Sequence, residues 1–305
     1  MEFWDSSGCL ERQIKKACLC LDGLFQCPSK PLDIQIKITY LFSKHFARGK
    51  REGLLTMKTF CSLVFCLVSI AAFAQPGALI LGELIDTPVA KTIPQASVQS
   101  TIRLYQEGGV LGSIQVGLTP RIAMGLSWGG ENIIGSGDVD LNPRPEVHVQ
   151  YLMFQELYLS PAILIGFQSQ GSGAYISSLE RYTVKSRGFY AVASKNTAFL
   201  GGLGIHAGIN WSMENKDGDH DPNLFAGCHK WINPELVILT EYDTAINDNN
   251  DNAVGSGKGY FNAAVRWSVA QTFFMEFDWK NIFENNSTHA GSSREIKLVY
   301  FTSFI

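Results

Sequence analysis

The sequence predicts an all-β protein, an antiparallel transmembrane β-barrel of about 12 strands, within a range of roughly 10–14. Three observations lead there. Beyond Ile93, apolar and polar residues alternate with the period of a strand in segments of about ten residues, and a helical 3.6-residue period is weak throughout. The connections between these segments are alternately short and long. Outside one export-like stretch, no apolar run approaches the roughly 18–20 residues of a spanning helix, so a membrane crossing by this chain requires a closed barrel, in which every backbone group is paired.

The alternation can be followed over approximate spans 96–106, 109–118, 121–129, 145–154, 157–169, 187–196, 200–213, 224–232, 235–246, 258–269, 271–282 and 294–304. Val110, Ile114, Val116 and Leu118 share one face. Ile122, Met124, Leu126 and Trp128 repeat the pattern after a turn at Thr119-Pro120-Arg121, and Val147, Val149, Tyr151 and Met153 follow. Ile205, Ala207, Ile209 and Trp211 face away from His206, Gly208, Asn210 and Ser212. Phe261, Ala263, Val265 and Trp267 oppose Asn262, Ala264, Arg266 and Ser268, and Phe273, Met275, Phe277 and Trp279 oppose Glu276, Asp278 and Lys280. The last strand sets Ile296, Leu298, Tyr300 and Phe304 against Glu295 and Lys297.

Short connections fall at Thr119-Pro120, Phe154-Gln155-Glu156, Asn196-Thr197-Ala198, Asn233-Pro234 and Ala270-Gln271; long polar ones fall at 130–144, 170–186, 214–223, 247–257 and 283–293. Short periplasmic turns and longer outer loops give this pattern in outer-membrane barrels, whereas a soluble sandwich has no reason to alternate its loop lengths. Aromatic residues near strand ends, among them Trp128, Tyr151, Tyr158, Trp211, Trp231, Tyr242, Trp267, Trp279, Tyr300 and Phe304, suit interfacial girdles.

Ahead of the strands, Met57 to Gln75 has a short positive start, an apolar core and a small-x-small ending at Ala72-Phe73-Ala74. It reads as a secretory signal peptide over 57–74, with Gln75 as the new N-terminus. Residues 1–56 are read as a mis-called, unstructured N-terminal extension; the alternative is a cytoplasmic extension on a signal-anchor helix. Residues 75–95 are expected to form a periplasmic N-terminal segment and 96–305 the barrel domain.

The chain has seven cysteines and a formal net charge of -3. Cys9, Cys18, Cys20 and Cys27 lack a His at metal spacing, and only Cys228 follows the export signal, so no internal disulfide is available to the mature chain. Lys and Arg concentrate upstream, which leaves the mature chain more acidic and argues against nucleic-acid binding.

The signal, the repeated strands and the aromatic C-terminal strand ending Phe304-Ile305 resemble bacterial outer-membrane β-barrel proteins over residues 57–305. The texture of Gly201-Gly202-Leu203-Gly204-Ile205-His206-Ala207-Gly208-Ile209-Asn210, and of Glu241-Tyr242-Asp243 with Ala263-Ala264-Val265-Arg266-Trp267, resembles YjbH-like barrels. That second resemblance implies a link to exopolysaccharide export. Neither resemblance carries functional residues with it.

Barrel hydrolases use a His-x-Ser element on a strand, and none of the six His residues here has Ser two positions later. A Ser–His pair from separate strands stays open, because geometry defines such sites. The charges on the polar faces, Arg103, Glu146, His148, His206, Glu241, Asp243, Arg266, Glu276, Asp278, Lys280 and Lys297, are expected to line the lumen, since charges facing lipid would cost several kcal/mol at the midplane. They suit either a polar conduit or an internal salt-bridge network, and their mixed signs predict no strong ion preference. Asp217, Asp219 and Asp221 alternate like a calcium loop, but twelve positions from Asp217 end at Cys228, so the helix–loop–helix pattern fails and a solvated outer loop is expected.

These readings predict a non-enzymatic outer-membrane barrel, porin-like, for passage or export of a polar solute or polysaccharide. The alternatives are a closed structural or surface-interaction barrel and an outer-membrane lipid hydrolase. No cofactor or metal is called for. The expected partners are outer-membrane lipid and lipopolysaccharide, with the barrel assembly machinery during biogenesis.

Overall fold

The computed structural model describes residues 82–197, 202–270, 272–285 and 292–304. The chain divides into units Met1–Ser69 and Ile70–Ile305. The first unit lies outside the described residues, as do the expected extension over 1–56, the expected signal peptide over 57–74 and residues 75–81.

The strands are β1 (Ser97–Tyr105), β2 (Gly109–Gly117), β3 (Ile122–Glu131), β4 (Asp140–Leu141), β5 (Glu146–Phe154), β6 (Ala162–Gln168), β7 (Ser172–Ile176), β8 (Arg181–Val184), β9 (Gly188–Thr197), β10 (Leu203–Trp211), β11 (Asn223–Asn233), β12 (Leu236–Asp243), β13 (Tyr260–Ala270), β14 (Phe273–Lys280) and β15 (Ser293–Ser303). Twelve of them, all but β4, β7 and β8, close into an antiparallel barrel. Each pairs with its neighbours in chain order, and β15 returns to β1 with Ser97 opposite Ser303 and Arg103 opposite Lys297. Closure removes the free strand edges that lipid would leave unpaired.

The twelve strands correspond to the twelve alternating segments of the sequence. The segment expected to start at 157 begins at Ala162 instead. Leu157 turns back on Ser160, and Pro161 has no N–H to give a ladder. β7 and β8 pair only with each other, inside a connection expected to be a plain polar loop.

Period-two alternation sorts the side chains. In β13, Tyr260, Asn262, Ala264 and Arg266 are buried while Val265 and Trp267 are exposed. In β14, Phe274, Glu276, Asp278 and Lys280 are buried while Phe277 and Trp279 are exposed. Apolar residues therefore cover the outside and polar ones the inside, the reverse of a soluble domain. Trp231 departs from the expected girdle. It shares the inward parity of Phe225 and His229 and packs on the interior core.

The segment expected to be periplasmic also departs. From Gly82 to Ile93 it runs inside the barrel. Leu84, Ile85 and Val89 pack on Val237, Leu239 and Ala264 of β12 and β13. Ala90 joins Leu152, Leu164, Tyr190, Val192 and Phe225. Ile93 meets Ala123, Phe274 and Phe301. The segment thus crosses from one wall to another at the short-turn end, and its apolar side chains find partners that water in an open lumen would deny them. Two glycines make room: a Cβ on Gly117 would lie 1.9 Å from the Pro94 carbonyl oxygen, and one on Gly227 2.5 Å from Leu84 Cδ1.

Candidate functional site: the charged interior

The register across β13, β14, β15 and β1 places Arg266 opposite Glu276, Glu276 opposite Lys297 and Lys297 opposite Arg103. Four inward charges therefore form one row, with the carboxylate between cations. Directly opposed unlike charges attract, and the interior screens them little. Arg266 pairs with Glu276, and Lys297 Nζ lies 2.9 Å from Glu276 and 3.5 Å from Asp278. Lys280 and Arg103 reach Glu295 at 3.3 and 3.8 Å.

The N-terminal segment is bound into this network. Asp86 pairs with Lys280 at 2.6 Å and Arg103 at 2.8 Å. Glu241 accepts the backbone N–H groups of Ile85, Asp86 and Thr87 at 3.1, 3.0 and 2.8 Å. Arg266 and Lys297 donate to the carbonyls of Leu84 and Ile85. A backbone that lacks a strand partner thus has its polar groups met by side chains, as burial requires.

The remaining residues singled out from sequence lie elsewhere on the wall. Asp243 pairs with Arg187 and accepts Asn223 Nδ2 at 2.7 Å. Glu146 meets Arg144 at 3.2 Å and accepts Tyr182 Oη at 3.4 Å. His148 Nε2 contacts Tyr190 Oη at 3.0 Å. His206 contacts Ser194 Oγ at 2.7 Å and His229 Nδ1 at 3.0 Å. A Ser–His pair from separate strands is therefore present. It is buried beneath the segment, with Ser194 Oγ accepting Ala90 N–H at 2.7 Å, and it faces away from the lipid side.

The loops beyond the strand ends fold over this interior. Arg181, fully buried, binds Asp217 at 2.6 Å and Asp248 at 2.7 Å, and Lys185 binds Asp217 at 2.7 Å. Asp219 accepts Asn249 N–H at 3.1 Å. The expectation of a solvated Asp-rich loop is thus overturned at Asp217 and Asp219, which are buried. The 214–223 and 247–257 loops bind the β7–β8 hairpin and each other, and the protein's own cations occupy the Asp217 carboxylate.

Below this cap lies a cavity of about 1090 Å³, bounded by Tyr105, Arg187, Asp243, Tyr260, Asn262 and Lys280 among others. A second, of about 90 Å³, lies toward Gln115 and His148. Asp86, Ser172, Val184 and Arg187 border both, so they form the partition between them.

Sequence reading missed Asp86, Arg181, Lys185, Arg187 and Glu295. Glu295 carried a usable signal, since it shares the parity of Lys297. Arg181 and Lys185 are two cations of the same parity within a connection expected to be a plain polar loop, and Arg187 continues that parity at the start of the next segment. The signal at Asp86 was an apolar pair, Leu84-Ile85, in a segment given no surface to bury it.

Geometry of this kind, an apolar exterior around a charged and partly filled interior, defines a barrel of the membrane-spanning class. The sequence matches no protein-family model and no curated protein. Among solved structures, a KdgM porin is similar at 9% identity and a TM-score of 0.42, over 68% of this chain and 99% of that one. An outer-membrane channel from Pseudomonas putida F1 is similar at 8% and 0.39, over 75% and 100%. The outer-membrane phospholipase A from Escherichia coli is similar at 7% and 0.30, over 70% and 99%. At these values the class rests on the barrel's own geometry.

Proposed function

We propose that the chain is an outer-membrane β-barrel that gives a polar solute, or a polysaccharide as the YjbH-like resemblance implies, a route across the bilayer. The observation that carries this reading is the cavity of about 1090 Å³ inside an apolar exterior, bounded by charged, amide and hydroxyl side chains together with Ile176, Leu179 and Val254. A filled structural core has no need of such a space, and the polar groups in its lining replace part of the hydration shell of a passing solute. The exterior is matched to lipid and lipopolysaccharide, and delivery follows cleavage of the export signal and insertion by the assembly machinery. No hydrolytic step is assigned to Ser194 and His206, because the N-terminal segment covers them.

A closed structural barrel is the second reading. It is favoured by the same segment, which occupies the lumen at the short-turn end. Planar-bilayer recording of protein whose folding is checked by heat-modifiable gel mobility separates the two. Discrete current steps are expected from a conduit. Folded, inserted protein that passes no current, even when the segment's hold is weakened by substitution, supports the closed barrel instead.

A further inference from the structure

Asp86 sits in an unusual position for a residue of a linker. Its carboxylate receives Arg103 Nη2 at 2.8 Å, Lys280 Nζ at 2.6 Å and Ser172 Oγ at 3.1 Å, and Arg103 Nη1 also reaches Ser172 Oγ at 3.3 Å. The three donors come from β1, β14 and the inward-folded β7, so the wall and the cap built this cradle between them. The cradle lies at the partition between the two cavities.

The occupant is held without strand pairing. Among the described residues the backbone–backbone hydrogen bonds of the segment, Leu84 to Thr87, Val89 to Gly82 and Lys91 to Val89, are internal to it. Residues 83–88 form a small loop closed by one bridge between Glu83 and Pro88. It leaves the lumen through the exposed pair Pro94 and Gln95 and a positive φ of 54° at Ala96. The barrel ladder closes without it. Displacing Asp86 therefore breaks side-chain contacts and leaves the wall intact.

Charge says what fits in its place. At the partition two cations, Arg103 and Lys280, each contact the same two carboxylates, Asp86 and Glu295. With Asp86 withdrawn, Arg103 and Lys280 share Glu295 alone among the ion pairs of the described residues, and three donors converge on the emptied point. That is the complement of a single carboxylate, which accepts up to four hydrogen bonds and is favoured by paired cationic donors.

We propose that Arg103, Lys280 and Ser172 form a carboxylate-binding subsite of the conduit, occupied in the closed state by the protein's own Asp86 and taken over by a carboxylate-bearing solute. This rests on the conduit reading above and names the class of solute it admits. Asp86 is then an internal competitor: the apparent affinity for solute is the intrinsic affinity reduced by the fraction of protein in which Asp86 has left.

The test uses the folded full-length protein with D-glucuronate as probe and D-glucose as its neutral counterpart, read by calorimetric binding and by bilayer current. Asp86→Asn is expected to bind glucuronate about tenfold more tightly than the unsubstituted protein, as loss of one charge-assisted competitor implies, with glucose unchanged. Arg103→Met together with Asp86→Asn is expected to abolish the gain. Should Asp86→Asn not fold, hydrogen exchange on the unsubstituted protein serves: saturating glucuronate, and not glucose, is expected to accelerate exchange of the Ile85, Asp86 and Thr87 amides. Equal binding of the two sugars, or exchange indifferent to glucuronate, overturns the subsite even when current flows. Selective glucuronate binding with no current upholds the subsite and refutes the conduit.

Discussion

Arg181 and Asp248 are joined by two hydrogen bonds of 2.7 and 3.1 Å that tie the β7–β8 hairpin to the loop after β12, across 67 positions of chain. The same guanidinium holds Asp217 at 2.6 Å. One buried cation thus fastens three outer loops, and the cap over the large cavity depends on it.

Replacement of Arg181 by Met leaves Asp217 and Asp248 buried with one cation fewer, a loss that costs about 3–5 kcal/mol at buried pairs. The ladders of the barrel do not include Arg181, so the loss falls on the cap. The expected result is rapid proteolytic cutting in the 212–222 and 244–259 loops while heat-modifiable mobility of the barrel is kept. Loops as resistant as before would show that Arg181 does not fasten them.

Glu214 makes the cap sensitive to pH. Its Oε2 accepts the N–H groups of Ser186 and Tyr182 at 3.0 and 3.4 Å, while Oε1 has no hydrogen-bond partner among the described residues. Burial pushes its pKa from 4.5 up to about 7, against the pull of those N–H groups and of Arg181. The folded cap therefore binds more protons than the opened one between pH 4.5 and about 7. Its contribution is fully present below 4.5 and lost as pH rises through about 7. Loop proteolysis is expected to be slower at about pH 5 than at about pH 8. Glu214→Gln, which stays neutral, is expected to remove most of that difference.

Two neighbours inside the barrel are expected to respond in opposite ways. Lys297 serves Glu276, Asp278 and the Ile85 carbonyl at once, so Lys297→Met strips a buried carboxylate pair of its shared cation and should cost about 3–5 kcal/mol in urea unfolding. Asp278 is buried with neither carboxylate oxygen accepting a hydrogen bond among the described residues. Asp278→Asn removes an under-served charge and is expected to be neutral or stabilising. Equal destabilisation by both would show that the 3.5 Å contact with Lys297 is enough to make the Asp278 carboxylate stabilising.

The wall was legible in the sequence because a strand with one face in lipid and one in the lumen must alternate, and Phe261 to Trp267 or Phe273 to Lys280 can do so in only one register. Inward charges followed from the same parity. What fills the barrel was not legible. Leu84, Ile85, Val89 and Ile93 show no period, because the segment follows no ladder and each residue meets a different wall. The cap was hidden for a related reason. Asp217 and Asp248 read as solvated while their partner Arg181 sits in a third loop, and no local pattern announces contacts between loops.

The outer face gives the most direct test of the membrane reading. Val265 lies midway along β13, 39% exposed and flanked on the same face by Ala263 and Trp267. Its neighbour Arg266 is nearly buried, points inward and is paired with Glu276. Placing Arg at 265 adds a second guanidinium one residue along the chain and on the opposite face. In a bilayer that face has no acceptor for a guanidinium, and the cost near the midplane is about 2–4 kcal/mol. In water an exposed Val→Arg change usually stays within about 0.5 kcal/mol. Reversible unfolding of Val265→Arg from phospholipid vesicles is therefore expected to show the larger loss, with Val265→Leu close to the unsubstituted protein. A penalty no greater than that of an ordinary surface substitution would mean that this face meets water, and the lipid assignment of the whole exterior would fall with it.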